Sequence, residues 1–208
     1  MRDRLFRYTM YLSVLFFLLS MLLSLVSWLI TAIDTESQIK SLLSSEGLRW
    51  MCGNLVGNVL TPFLAWLLLI GATFGVMKRS TLHKAFVSYK KMENSQYSKI
   101  GLRVVVLLTV ISIVVIGYLA FAPHAILLSV SGSLLNSSFS AFIVPFVCIV
   151  ICIDSISYGS ICGTINSFSD VFEALCDGVK SIVPLLVLYM FVAQFVNMLL
   201  WITSKSLQ

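Results

Sequence analysis

The chain has 208 residues, of which 59% are hydrophobic and only 11% are charged, and its mean hydropathy is +0.99. Soluble domains are about 45–50% apolar and about 25% charged. So few charges cannot keep so much apolar side chain in water, so soluble enzyme classes drop out. The net charge of +5 follows the membrane rather than a nucleic acid.

The expected fold is all-α: one polytopic membrane domain over residues 1–208 with about five transmembrane helices and a short amphipathic helix. A crossing takes roughly 20 helical residues, and the apolar runs supply five. A membrane β-barrel is excluded, since its strands alternate apolar and polar over about 10 residues.

The first span is expected over about residues 5–33. No charged residue interrupts Met10 to Ile33. Arg2, Arg4 and Arg7 precede it, as in a signal peptide. The apolar run outlasts the usual h-region of about 7–15 residues, so a retained helix is expected. A polar stretch follows from Asp34 to Trp50.

The second span is expected over about 55–77, with Pro62 near its start. Asn54 and Asn58 lie one turn apart just before or at that start. Gly53 and Gly57 are four residues apart, as are Gly71 and Gly75. Small residues at this spacing let helix backbones approach in lipid, which makes these four glycines helix-packing candidates and the best guess for a subunit contact.

A basic loop, residues 78–101, leads to the third span, about 102–121. Ala122 to Ser140 carries no Lys, Arg, Asp or Glu. The fourth span is expected over about 141–159, with Pro145 near its start and Asp154 deep within it. Residues 160–181 read as amphipathic, a short interfacial helix in which Asp170 and Glu173 have the spacing of a capping box. The fifth span, about 182–203, follows, with Pro184 as a kink or boundary.

Cytoplasmic loops carry the excess of Lys and Arg. With the N-terminus inside, eleven basic residues face the cytoplasm and three, Lys40, Arg49 and Lys205, face out. The expected topology is therefore N-in, C-out.

An ionisable group within a membrane helix is a functional candidate, and Asp154 is the strong case. It reads either as an ion or proton site or as a structural acid bonded to Ser155, Ser157 or another helix. Asn54, Asn58, Gln194 and Asn197 are amides at or near membrane depth, and Gln194 and Asn197 share a face. They can line a substrate path or bond across helices. The five cysteines include no Cys-x-x-Cys and read as packing residues. His83 and His124 fall on opposite sides of the expected membrane. No catalytic arrangement, metal site or cofactor is expected, and the chain does not read as an enzyme.

Three blocks resemble the p-aminobenzoyl-glutamate transporter (AbgT) family. The first is LLSSEGLRWMCGNLVGNVL, Leu42 to Leu60, continuing to GVMKRSTL at Gly75 to Leu82. The second is APHAILLSVSGSLLNSSFSAFIVP, Ala122 to Pro145. The third is YGSICGTINSFSDV, Tyr158 to Val171, followed by FVAQF, Phe191 to Phe195. Their order agrees with the family. The resemblance implies a transport-related protein of the bacterial cytoplasmic membrane. Members of that family are more than twice as long. Here a basic loop, His83 to Lys99, replaces one helical hairpin, and the chain stops within 13 residues of the Ala-Gln-Phe motif, where a second would follow. Asp154 inherits no role from the family.

The expectation is thus a scaffold or accessory subunit in the lipid bilayer, as a homodimer or with a membrane partner subunit. The alternative is a minimal oligomeric secondary transporter for a small amino-acid-like or aromatic-conjugate solute, with Asp154, Asn54 and Gln194 lining its path.

Overall fold

The computed structural model describes residues 2–34, 40–87, 96–121 and 138–204. Most of the Ala122–Ser140 loop with His124, residues 88–95 of the basic loop, and Lys205 lie outside these. Among the described residues seven helices follow in order: α1 Arg2–Ile33, α2 Ser45–Val59, α3 Pro62–Arg79, α4 Leu82–Val87, α5 Gln96–Phe121, α6 Ser138–Ile161 and α7 Phe168–Thr203. No strand occurs among the described residues.

Among the described residues five segments are long and apolar enough to cross a membrane: Phe6–Ile33, Ser45–Arg79, Gln96–Tyr118, Phe142–Ile161 and Phe168–Thr203. The chain is therefore an all-α membrane protein in contact with lipid. Serine and threonine sit in these apolar helices by bonding back to their own backbone, as in Ser13 to Thr9 O (2.8 Å), Ser20 to Phe16 O (2.7 Å) and Ser24 to Ser20 O (2.9 Å). This removes the need for water at those hydroxyls.

Three local features differ from the sequence reading. The Asp34–Trp50 stretch is not all loop, because α2 starts at Ser45: Ser44 caps it by accepting from Gly47 N at 3.1 Å, and Glu46 lies in its first turn. Such a start depends on caps rather than apolarity. Next, α7 runs unbroken from Phe168 to Thr203 with Pro184 inside it, so the amphipathic segment and the fifth span are one helix. The capping box lies one turn earlier than expected. Ser167 Oγ accepts from Asp170 N (3.2 Å), and Asp170 Oδ2 accepts from Ser167 N (3.0 Å) and Asn166 N (3.0 Å). Asp170 is thus the reciprocal acid and Ser167 the cap.

The chain forms two compact units whose boundaries fall within α3 and α7: Met1–Leu64 with Val183–Gln208, and Ala65–Ile182. In the first unit, Leu42, Met198 and Ile202 form a core flanked by Leu23, Trp50 and Trp201. Ser27 pins the segment after α1, donating to Lys40 O and accepting from Leu42 N, both at 2.9 Å. Phe16 and Phe17 meet Phe195 and Phe191 edge-on at 5.6 and 5.8 Å. Trp50 stacks on Trp201 at 5.3 Å, and the Lys40 ammonium lies 5.3 Å from the Trp201 ring centre.

In the second unit α5 packs along α6, and α4 touches α6. One core joins Leu82, Ala85, Val105 and Tyr158; another joins Val76, Ile165 and Ala174. Ser98 and Tyr158 share a hydroxyl bond of 2.9 Å. Arg79 Nη2 pairs with Asp170 (3.2 Å) and Glu173 (3.5 Å), joining the end of α3 to the start of α7.

Candidate functional site

In the first unit the polar chemistry gathers at the break between α2 and α3. Proline has no N–H, so Pro62 cannot supply the helical bond to the carbonyl four residues back, that of Asn58. The chain turns at Leu60 and Thr61, with Thr61 N bonded to Val59 O at 2.8 Å. Helix α7 supplies the missing donors. Asn197 Nδ2 donates to Asn58 O (3.3 Å) and to Ala193 O (2.9 Å). The Tyr189 hydroxyl donates to Val59 O (3.2 Å) and is bonded to Thr61 Oγ1. Asn58 Nδ2 donates to Gln194 Oε1 at 3.1 Å.

Three of the amides singled out in the sequence, Asn58, Gln194 and Asn197, thus come together. Asn54 does not join them, since it is exposed and donates to Trp50 O of its own helix at 3.1 Å. Sequence reasoning missed Thr61 and Tyr189. The available signal was Pro62 in an apolar run, facing a helix with hydrogen-bonding side chains at 189, 194 and 197.

In the second unit, Asp154 on α6 is only 6% exposed. Its Oδ2 accepts from Thr109 Oγ1 on α5 at 2.7 Å. Its Oδ1 is buried and has no hydrogen-bond partner among the described residues, and the buried Ser155 hydroxyl has none either. The partner of Asp154 is therefore another helix, through Thr109, a residue the sequence reading did not single out. Asp154 lines a pocket of about 420 Å³ together with Thr109, Ser112, Ile113, Phe146 and Val147, among others. A second pocket, of about 360 Å³, is lined by Thr73, Phe74 and Cys148 with aliphatic neighbours. Thr73 also ties α3 to α6, receiving the Cys152 thiol at 3.5 Å.

The two glycine pairs differ in surroundings. Around Gly53 and Gly57 nothing among the described residues lies within 4 Å of where a β-carbon would stand. Gly71 lies under the Ile182 side chain, and Gly75 lies against the backbone of Ala174 and Gly178.

The block from Tyr158 to Val171 is a helix stop followed by a helix start. Gly163 takes φ +70°. Thr164 N bonds to Gly159 O (2.9 Å) and Gly163 N to Ser160 O (3.3 Å), which is the Schellman pattern that closes a helix on a left-handed residue. The Ser167–Asp170 box then opens α7. These residues reverse the chain, and none of them lines either pocket described above.

The His/Cys/Asp/Glu side chains form no group of three or more able to hold a metal ion among the described residues. None of the curated proteins and none of the solved structures compared with the chain matches it. The sequence model of the AbgT putative transporter family matches residues 69–205. That range takes in the Gly71/Gly75 contact, Asp154, the 158–171 reversal and the α7 amides, and it leaves α1 and α2 outside. As it spans well over half of the sequence, the chain belongs to the AbgT family.

Proposed function

We propose that this chain serves as a scaffold or accessory subunit of transport in the bacterial cytoplasmic membrane, with its N-terminus inside. The observation that carries the reading is the use of the α7 amides. Asn58, Gln194 and Asn197 are bonded to one another and to backbone at a helix break. Polar side chains so engaged act as interhelical ties, and this supports a structural use of them. The family-like block at 158–171 likewise serves a turn. Catalysis has no part in this reading.

The partner is a second copy or a separate membrane subunit. Gly53 and Gly57 on α2, with open space beside them, are where we place the approaching helix. Replacing both by Leu is expected to lower the oligomeric fraction in detergent.

A specific observation favours the alternative, a minimal oligomeric transporter of a small amino-acid-like or aromatic-conjugate solute: the unpartnered oxygen of Asp154 beside a pocket. Vesicles containing the purified protein alone decide between the two. With p-aminobenzoyl-glutamate outside and a sodium or proton gradient imposed, the scaffold reading expects no uptake above empty vesicles. Gradient-driven uptake overturns it in favour of the transporter.

A further inference from the structure

The pocket beside Asp154 combines two properties that constrain its occupant. Its walls are almost wholly apolar, including Met77, Ile113, Phe146 and Val147, and its volume of about 420 Å³ lies within the roughly 300–1,000 Å³ usual for small-molecule sites. At its edge stands a carboxyl group that the chain only half satisfies. Asp154 takes one hydrogen bond, from Thr109, its second oxygen has no partner among the described residues, and no ion pair among those residues includes it. An ionised carboxylate has about four lone-pair sites, and a single hydroxyl leaves most of them empty. Ionised in apolar surroundings such a group is costly, and an opposite charge beside it offsets that cost and favours the ionised form.

A bare metal ion does not fit these terms. Hard cations need about six or more oxygen ligands, and the side chains lining the pocket offer only the Asp154 carboxylate and the Thr109 and Ser112 hydroxyls. The fitting ligand has one positive charge and a large apolar surface. We infer that the pocket at α5 and α6 binds a lipophilic organic monocation, with its charge against Asp154 and its body between Ile113, Phe146 and Val147. Binding requires no transport, so the inference rests on neither reading of function above.

Equilibrium dialysis of the full-length purified protein in neutral detergent against labelled tetraphenylphosphonium tests it. Saturable binding is expected. Asp154→Asn is expected to weaken it by about tenfold or more, equivalent to at least about 1.4 kcal/mol, and Asp154→Glu to retain part of the affinity. Val147→Trp, which fills the pocket and leaves the carboxyl in place, is expected to abolish binding. Excess neutral triphenylphosphine oxide is expected to compete poorly. Absence of saturable binding, equal competition by the neutral compound, or unchanged affinity in Asp154→Asn overturns the assignment; equal competition would make the pocket a purely apolar site. Should Asp154→Asn not yield folded protein, Val147→Trp decides, because unchanged affinity there places the cation elsewhere.

Discussion

Gly75 and Gly178 face each other across α3 and α7 with no room for a β-carbon on either. A methyl group on Gly75 meets the Ala174 carbonyl and the Gly178 backbone, and one on Gly178 meets the Gly71 carbonyl and the Gly75 backbone. Backbone cannot rotate aside as a side chain does. Overpacking of this kind typically costs about 1–3 kcal/mol, occasionally more. Gly75→Ala is expected at the upper end of that range. At Gly71 the obstacle is the flexible Ile182 side chain, so Gly71→Ala is expected to cost less. Thermal unfolding of both variants in detergent checks the order, and an equal or larger loss for Gly71→Ala contradicts this contact.

The Asn58–Gln194 bond is open to a double-mutant cycle. Interhelical side-chain bonds in membrane proteins average about 0.6 kcal/mol and reach about 1.7. A coupling energy within that range is expected for Asn58→Leu with Gln194→Leu, read by unfolding in mixed micelles. Asn197→Leu is expected to cost more than Gln194→Leu, because it also strips the donor from Asn58 O, whose helical partner Pro62 cannot provide.

At the start of α7 two effects compete, and their sizes decide which matters. The Arg79–Asp170 pair is partly solvated, and such pairs contribute about 0–1 kcal/mol. Asp170 also satisfies the Asn166 and Ser167 N–H groups as the reciprocal acid of the capping box, short-range bonds that depend less on salt than an exposed ion pair does. Asp170→Ala is therefore expected to destabilise more than Arg79→Ala. Raising the salt should erase the Arg79 effect and leave most of the Asp170 effect. Equal losses at high salt would count against the cap.

Sidedness has a direct test. In a cysteine-free background, Arg49→Cys is expected to react with an impermeant maleimide on intact cells, and Lys84→Cys only after permeabilisation. Both native side chains are exposed, so access is set by the membrane. The reverse pattern overturns the N-in orientation.

The crossing segments were legible because apolar length alone marks them. Met10 to Ile33 and Leu102 to Phe121 carry almost no competing signal. Their ends were less legible. Ser44 starts α2 in a charged stretch, and Pro184 stands inside α7, since in a membrane helix neighbouring groups can absorb the bond that proline loses. Residue spacing also marked glycines suited to close packing, yet spacing does not name the neighbour: Gly75 meets α7 of its own chain, while Gly53 and Gly57 meet nothing among the described residues. Thr109 was invisible as the partner of Asp154 for the same reason. It lies 45 residues away, on a helix whose sequence shows only an ordinary threonine. Tyr189 and Thr61 belong with it, for a helix break announces orphan carbonyls but not who answers them.

The Pro62 break carries a consequence for biogenesis. The carbonyls of Asn58 and Val59 take donors from Asn197 and Tyr189, which leave the ribosome well over a hundred residues later. The first unit likewise joins residues up to Leu64 with residues from Val183 onward. Through most of synthesis the early half of that unit waits in the bilayer with the Asn58 carbonyl unanswered, which costs several kcal/mol in hydrocarbon. Arrival of the last helix is the event that completes it, and nascent chains released before Tyr189 should be the ones that quality-control proteases remove.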